Sequence, residues 1–381
     1  MMRDLFIRLL PDALVPKKFK QYTFCFLGHP RDYDEVYRKY RFLKGAPRWM
    51  LRLFLNHIMW PTTIAPITGL VSLNDGGPVR GCVMSVPMTA QDLLKSRRRA
   101  LRKIKRAVRH ARKQGVVLMG LAGYTASLTR GGLDLQGMGV GITTGHAYTA
   151  LNVVQNYQAI LNEMQLGVDA KTIPVAIVGA AGSVGSTVAK YLATQEVAHV
   201  TLVDLDRKLH KVEELANELR LIHPEGVYQV TSDMSTIKQA VVVFTATNAA
   251  EALITPERTV PGMIFVDDTQ PTDISKETHH QDDVLVLEAG AVRTPGVRTH
   301  FKFGLQHPED NFCCMAELLI LSASGHSGDY VINRATLDHV YEMESRAKEI
   351  GFRIGEFQNM YNTVTPETIQ RVAQLIKERL R

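Results

Sequence analysis

The chain has 381 residues, of which 45% are hydrophobic and 22% are charged, and its formal net charge is +7. This composition excludes a disordered chain, and four cysteines are too few for a disulfide-stabilised scaffold. The length allows about two domains, each with its own core. Because no apolar run reaches transmembrane length and no secretory signal is apparent, we expect a cytoplasmic protein that at most contacts a membrane peripherally.

The first elements along the chain are predicted to be helices and a strand pair. Residues 34–60 predict two helices that are broken near 45–47. The second helix, 48–60, is apolar but carries Arg48 and Arg52, so it either packs into its own domain or rests on a membrane or an acyl chain. Residues 67–88 alternate around an Asn-Asp-Gly-Gly turn, which predicts two paired strands.

A strongly basic helix is predicted next. Residues 95–113 contain eleven lysines and arginines among nineteen positions. Such a run forms either a solvated helix face or a docking surface for an acidic partner, such as an acyl carrier protein, a membrane surface or nucleic acid. Because it lacks interleaved aromatic residues and any recognised motif, nucleic-acid binding is disfavoured. The docking candidates are Arg98, Arg102 and Arg106.

The remaining sequence predicts an α/β protein. Residues 116–128 predict a strand followed by a loop, and residues 141–161 predict a turn and a helix capped by Thr143 or Thr144. Strands and helices alternate regularly after residue 172, which is typical of a doubly wound parallel sheet of Rossmann type. We therefore predict an N-terminal α/β substrate domain (1–170), a dinucleotide-binding domain (171–310) and a C-terminal helical segment (311–381).

A dinucleotide site is predicted where a strand runs into a glycine-rich turn and a helix. Gly179, Gly182 and Gly185 give the spacing GxxGxxG, and an acidic residue ends the next strand. Glycines here allow a tight turn, close approach of the backbone to pyrophosphate and packing of helix on strand, while the helix N-terminus faces the phosphates. The predicted cofactor-binding residues are Gly179, Ala181, Gly182, Ser183, Val184, Gly185, Asp204, Arg207, Thr247 and Asn248.

The cofactor choice between NADH and NADPH stays open from the sequence. Asp204 is placed to accept hydrogen bonds from a ribose 2′-hydroxyl and to repel a 2′-phosphate, which favours NADH. Arg207 and Lys208 follow closely and are able to hold a phosphate, which favours NADPH.

Two adjacent cysteines begin a predicted C-terminal helix. Asp310 or Asn311 is placed to cap a helix that contains Cys313 and Cys314 in its first turns. A thiolate near a helix N-terminus is stabilised by the helix dipole and becomes a nucleophile, although Glu309 and Asp310 oppose this effect. The alternative is that both cysteines are small buried apolar residues.

The chain resembles the long-chain acyl-[acyl carrier protein] reductases of cyanobacteria, which make fatty aldehydes with NADPH. The resemblance runs from about residue 28 to the C-terminal helices. It rests on the ordered motifs RRRALRKIKRAVRHARKQG, GLAGYTASL, TTGHAYTA, VAIVGAAGSVGS, VLVLEAGAV and FCCMAE. The family's arginine for the 2′-phosphate is replaced here by Asp204-Leu205, which leaves the NADPH preference open.

The resemblance implies a catalytic thiol and a thioester substrate. It places the nucleophile at Cys314, two residues before Ala316-Glu317, and makes Thr144 and His146 candidates for lining the oxyanion site. The implied activity is reduction of a fatty acyl thioester, carried by acyl carrier protein or coenzyme A, to an aldehyde through an acyl-cysteine. The spacing of the histidines does not predict a metal site.

Two other functions stay open from the sequence. One is an NAD(P)-dependent dehydrogenase of a small polar acid, which needs no thiol. The other is a non-catalytic nucleotide-binding protein that attaches to membranes or acidic partners through the basic helix and residues 48–60.

Overall fold

The computed structural model describes residues 7–8, 10–11, 14–39, 43–249, 251–270 and 272–381. The first predicted helix therefore includes residues 40–42, which lie outside the described residues. The strands are β1 (Phe24–Gly28), β2 (Thr62–Val71), β3 (Pro78–Ser85), β4 (Leu118–Leu121), β5 (Gly141–Thr143), β6 (Val175–Val178), β7 (His199–Val203), β8 (Val227–Thr231), β9 (Val242–Thr245), β10 (Met263–Asp267), β11 (Val284–Glu288), β12 (Ala291–Arg293), β13 (Arg298–Thr299) and β14 (Asp310–Phe312).

The helices alternate with these strands along much of the chain, so the fold class is α/β, as predicted. They are α1 (Tyr33–Lys39), α2 (Arg48–Leu53, continued by a π-helical turn Phe54–Ile58), α3 (Ala90–Lys95), α4 (Arg97–Lys113), α5 (Tyr124–Leu128), α6 (His146–Met164), α7 (Ser183–Thr194), α8 (Leu209–Ile222), α9 (Lys276–His279), α10 (Cys313–Ala323), α11 (Leu337–Ile350) and α12 (Pro366–Arg379).

The chain divides into two compact units, and each contains segments that are distant in sequence. The first unit comprises Met1–Gly145, Thr294–Asn333 and Arg346–Gly351, and the second comprises His146–Arg293, Arg334–Ser345 and Phe352–Arg381. The predicted division used three consecutive segments instead. The structure differs because α6 joins the second unit, whereas α10, with the two adjacent cysteines, joins the first.

The first unit is built on a mixed sheet with the strand order β13-β2-β3-β1-β4-β5. The strands from β3 to β5 are parallel, and β2 pairs antiparallel with β3, as the predicted hairpin requires. The basic helix α4 covers one face of this sheet. It buries Ala100, Ile104, Ala107, Val108 and Ala111 in the same core as Cys25, Leu27, Met84 and Met119. One stripe of the basic helix is therefore apolar, and the arginines occupy the rest of its surface.

The second unit is built on a parallel sheet with the strand order β11-β10-β9-β6-β7-β8. This is the doubly wound order of dinucleotide-binding folds, and it confirms the predicted Rossmann-like sheet. The strand order reverses between β6 and β9, and ligands of such sheets bind beyond the carboxyl ends of the strands at this point. The glycine-rich turn follows β6 directly, so the chain places it at the expected edge.

The predicted caps of two helices are wrong. Helix α10 has Phe312 at its N-cap and no side-chain cap, because Asp310 and Asn311 belong to β14. The Asn311 amide instead donates to the Thr294 hydroxyl at 2.6 Å. Helix α6 begins at His146, so Thr143 and Thr144 precede it, and their hydroxyls donate to Glu317 and to the Val331 carbonyl.

Candidate functional site

The glycine-rich turn of the second unit is shaped by two glycines that the fold itself requires. Gly179 has φ +89°, and a Cβ atom there would lie 2.5 Å from the carbonyl oxygen of Ala246. A Cβ atom at Gly185 would lie 2.4 Å from the carbonyl oxygen of Gly179. Real Cβ atoms essentially never lie within 3 Å of another heavy atom in this way. Any larger residue at Gly179 or Gly185 therefore forces the turn away from β9 or from α7.

Gly182 is less crowded than these two glycines. It caps α7 with φ −71° and ψ 165°, a conformation that any residue adopts. A Cβ atom would meet only the Gly179 carbonyl oxygen at 3.1 Å and that of Ala246 at 3.6 Å. The 3.1 Å approach is tighter than usual for a Cβ atom but milder than the approaches at Gly179 and Gly185, so sterics explain this glycine only in part. Close approach of a pyrophosphate to the backbone at the α7 N-terminus adds a second reason, so the turn fits a dinucleotide.

Asp204 holds the turn from the end of β7. Its buried carboxylate accepts hydrogen bonds from the backbone N–H groups of Ala181, at 2.9 Å, and Leu205, at 2.8 Å. The ammonium of Lys208 lies 3.1 Å from the same carboxylate. Asp204 therefore has its charge balanced within the protein, while the neighbouring Arg207 is exposed. These charges leave both NADH and NADPH as candidates.

The other predicted cofactor residues also lie at this turn. Thr247 follows β9, and its Cγ2 atom lies 3.1 Å from the position of a Cβ atom on Gly179. Its hydroxyl donates to the Asp273 carboxylate at 2.7 Å. Asn248 is exposed beside it. Ser183, Val184 and Gly185 form the first turn of α7.

The sequence reasoning missed Arg334 and Asp273 at this turn. The guanidinium of Arg334 lies 3.5 Å from the carbonyl oxygen of Ala181, and the backbone N–H of Ala335 donates to the Ser183 hydroxyl at 3.3 Å. Both contacts join positions more than 150 residues apart, and the local sequence around Arg334 carries no motif that signals them. Burial raises the pKa of Asp273 to about 6.

The first unit holds the candidate nucleophile. Cys314 is the second residue of α10 and is partly exposed, whereas Cys313 is buried. The glycine of the TTG turn packs directly on the helix start, because a Cβ atom at Gly145 would lie 2.3 Å from the Cα and Cβ atoms of Cys314. This close approach and its φ of +79° explain the glycine. The catalytic role of Cys314 stays a prediction.

Glu317 fixes the TTG turn against α10. Its fully buried carboxylate accepts hydrogen bonds from the Thr143 hydroxyl and from the Gly145 backbone N–H, the latter at 3.1 Å. The backbone N–H and hydroxyl of Thr144 lie 3.2 and 3.3 Å from the Val331 carbonyl oxygen. The structure thus brings Thr144 and Cys314 into one region of the first unit. In the sequence Glu317 was noted only as part of the FCCMAE motif, and its contacts with the TTG turn were not predicted.

His146 belongs to the second unit, where it begins α6. Burial lowers the pKa of its imidazole to about 4, so the ring is neutral at neutral pH. Among the described residues its Nδ1 atom is buried without a hydrogen-bond partner. The three predicted catalytic residues are therefore divided between the units, and the roles of Thr144 and His146 stay predictions.

The basic helix presents the predicted docking arginines to solvent. Arg98, Arg102 and Arg106 are exposed at a spacing of four residues, which places them on one face of α4. The described residues contain no group of histidines, cysteines and carboxylates that could hold a metal ion.

Part of the second unit matches a family model of dehydrogenases. Residues 161–293 match the family model of shikimate/quinate 5-dehydrogenases. Over 286 residues the chain is 27% identical to the aminotransferase PigE of Serratia sp.; the match covers 73% of this chain and 33% of that protein. The chain therefore spans about a third of the length of the curated relative it matches.

Solved structures resemble the chain only distantly. L-tryptophan dehydrogenase from Nostoc punctiforme is 11% identical, with a TM-score of 0.39, over 95% of this chain and 89% of that one. Quinate dehydrogenase from Corynebacterium glutamicum, in complex with NAD, is 14% identical, with a TM-score of 0.31, over 64% of this chain and 78% of that one.

These comparisons correct the family prediction. The resemblance to acyl-[acyl carrier protein] reductases is wrong, because the family model that matches describes shikimate and quinate dehydrogenases and the curated relative is named an aminotransferase. The coarser prediction is confirmed: residues 161–293 have a shikimate dehydrogenase-like, NAD(P)-dependent fold. The nicotinamide cofactor, with NADH and NADPH left open, is confirmed with it.

Proposed function

We propose that this chain is an NAD(P)-dependent dehydrogenase that acts on a small polar hydroxy or oxo acid. The observation that carries the proposal is the glycine-rich turn that leads into α7 at the switch point of a parallel sheet whose sequence matches the shikimate/quinate dehydrogenase model. A bound nicotinamide cofactor would supply hydride transfer. Gly182 and the first turn of α7 would hold its pyrophosphate, and Asp204 with Lys208 would lie near the adenosine ribose.

The cofactor half of this proposal is tested by comparing two glycine variants. Gly182→Ala keeps an allowed backbone, but its Cβ atom would lie 3.1 Å from the Gly179 carbonyl oxygen, so we expect a smaller loss of thermal stability than in Gly185→Ala and a loss of cofactor binding of at least about tenfold. Gly185→Ala, with its 2.4 Å clash, should lose stability and binding together. Isothermal titration with NADH and NADPH and thermal unfolding of both variants measure these effects. Unchanged cofactor affinity in Gly182→Ala contradicts the proposed site.

The substrate half is tested by turnover. The protein is incubated with NAD or NADP and a panel of small hydroxy acids, and separately with NADH or NADPH and the corresponding oxo acids, while absorbance at the reduced cofactor's band is followed. Turnover that survives Cys314→Ala supports the proposal. Cofactor binding with no turnover on any acid leaves the nucleotide-binding protein without catalysis as the better description.

A specific observation favours a second candidate function, in which Cys314 acts on an acyl thioester. Cys314 is partly exposed in the first turn of α10, where helix amides stabilise a thiolate, and Glu317 anchors the adjacent TTG turn. The thiolate would attack the thioester carbonyl and release the carrier as a thiol. Hydride transfer to the acyl-cysteine, with loss of the cysteine thiolate, would then give an aldehyde.

The second candidate is tested by intact-protein mass after mixing with a long-chain acyl-CoA, or with an acyl carrier protein, without cofactor. It requires a mass gain of one acyl group in wild type and in Cys313→Ala, but none in Cys314→Ala. Cys313 is the matched control, because it is the adjacent cysteine and is buried. No adduct in wild type removes covalent catalysis and leaves the thiol-independent dehydrogenase.

A further inference from the structure

An exposed apolar ridge runs along α2 and its π-helical continuation in the first unit. Its side chains recur at a spacing of three to four residues and so lie on one side of the helix. They are Trp49 (69% exposed), Met50 (43%), Leu53 (52%), Phe54 (39%) and Ile58 (61%). The opposite side, with Leu51 and Leu55, is buried. Monomeric soluble proteins rarely expose a contiguous patch of large apolar groups unless it binds something.

The ridge is fixed to the basic helix and is not a loose segment. The ammonium of Lys103 is buried and donates to the carbonyl oxygens of Leu55 and Met59, at 2.6 Å each. The ring of Trp60, 45% exposed, lies under the guanidinium of Arg106 at 4.8 Å from its centroid. These contacts close the end of the ridge against α4, so its exposed side chains are held outward.

Cations surround the base of the ridge. A cavity of about 430 Å³ opens there, and the cationic side chains among its lining are Arg48, Arg52, Lys95 and Arg99. A single lining carboxylate, Asp92, lies 2.9 Å from Arg52, and Asp34, outside the lining, lies 4.0 Å from Arg48. Among the described residues, Lys95 and Arg99 form no ion pair. The cavity therefore carries an excess of positive charge beside the apolar ridge.

We propose that the ridge inserts into the interface of an anionic phospholipid bilayer, with the cavity cations binding lipid phosphates. Tryptophan, leucine and isoleucine on one side of a helix, flanked by arginines, are the residues that interfacial helices use. The described residues contain no helix that is long and apolar enough to cross a membrane. The exposed arginines of α4 add attraction toward the same surface.

Two other binding partners explain the apolar ridge and the cationic cavity less completely. An acidic protein would pair with the cations, but charge alone gives no reason for a row of exposed tryptophan, leucine and isoleucine. A second copy of the chain would bring its own cations to the cavity, which opposes self-association through this surface. Both occupants give distinct results in the experiment below.

The chain offers an internal probe, because its only two tryptophans, Trp49 and Trp60, both belong to this surface. Phosphatidylglycerol-containing vesicles should shift the tryptophan emission to the blue, and bromine-labelled lipids should quench it. Vesicles of phosphatidylcholine alone should give a much smaller change. In flotation, Leu53→Ala/Ile58→Ala should reduce binding by about tenfold, and Arg48→Ala/Arg99→Ala should reduce it by about fivefold for each arginine.

The matched control removes exposed apolar groups elsewhere. Leu221→Ala/Val227→Ala changes side chains that are 85% and 56% exposed, on α8 and β8, and should bind vesicles like wild type. Equal loss in this control, or no blue shift with anionic vesicles at low salt, overturns the proposal. A blue shift that depends on protein concentration without vesicles, together with a doubled mass in solution, assigns the ridge to a second copy. Binding to a highly acidic protein but not to vesicles assigns it to a protein partner.

Discussion

Replacing Asp273 by asparagine should stabilise the protein at neutral pH. The Asp273 side chain is fully buried, one oxygen accepts from Thr247 at 2.7 Å, and the other has no hydrogen-bond partner among the described residues. Burial raises the carboxyl pKa from 3.8 to about 6. The native state therefore binds this proton more tightly than the unfolded chain does. Stability falls as pH rises from about 4 to about 6, and above that window the ionised group costs about 3 kcal/mol.

Asparagine keeps an oxygen for Thr247 and cannot ionise, so this cost disappears. We expect Asp273→Asn and wild type to have similar free energies of unfolding at pH 4, and the variant to be about 2 kcal/mol more stable at pH 7.5. Urea unfolding at a series of pH values measures the difference, in which contributions of other groups largely cancel. A difference that stays constant from pH 4 to pH 7.5 would refute the argument from burial.

Asp267 provides the matched control, because it is also a buried aspartate but has a full set of donors. Its carboxylate accepts from the hydroxyls of Thr245, Thr269 and Thr272 and from the Thr269 backbone N–H. An asparagine amide would face some of these donors with its own N–H groups. Burial also raises the pKa of Asp267, so Asp267→Asn removes an ionisation cost together with these hydrogen bonds, and it should stabilise the protein less at neutral pH than Asp273→Asn does.

Three further predictions concern the two candidate sites. Thr143→Val removes a hydrogen bond to the buried Glu317 carboxylate and should lower the free energy of unfolding by about 2 kcal/mol in urea titrations; a loss under about 0.5 kcal/mol contradicts the anchoring role. Lys208→Ala frees Asp204 and removes a cation from the ribose region, so the NADPH affinity should fall about fivefold relative to NADH in calorimetry, and an unchanged ratio contradicts this. Arg334→Ala should weaken both cofactors equally, since a pyrophosphate is common to both; a selective effect would move Arg334 to the ribose end.

The sequence predicted the parts of the site that depend on neighbours in the chain. The strand, the GxxGxxG turn and α7 are local, because the turn conformation of Gly179 and the amides of α7 follow from adjacent residues. The hairpin of β2 and β3, the basic helix and the break near residues 45–47 were predicted for the same reason. Each of these elements has a periodicity or a turn signal in its own sequence.

The contacts that were missed join distant positions. Glu317 accepts from Thr143 across 174 residues, and no local pattern indicates that pairing. The cap predicted at Asn311 failed because its amide donates to Thr294, which lies 17 residues earlier and holds Asn311 within a strand. The ridge on α2 could not be predicted for a different reason. The sequence of an apolar helix does not show which of its side chains face a core and which face solvent. Burial of Leu51 and exposure of Trp49 are decided by packing alone.

The family model bears on only one part of the proposed function, the binding of the cofactor. Gly179 and Gly185 are required by the turn itself, so they accompany the fold whatever the protein does, whereas the milder 3.1 Å contact at Gly182 leaves a ligand as a further reason for the glycine there. The matched family model covers residues 161–293, which lie wholly within the second unit. It therefore bears on the cofactor and is silent on Cys314, Glu317 and the ridge, which belong to the first unit. Cys314→Ala separates the acid dehydrogenase from the thioester reaction, because only the latter needs the thiol.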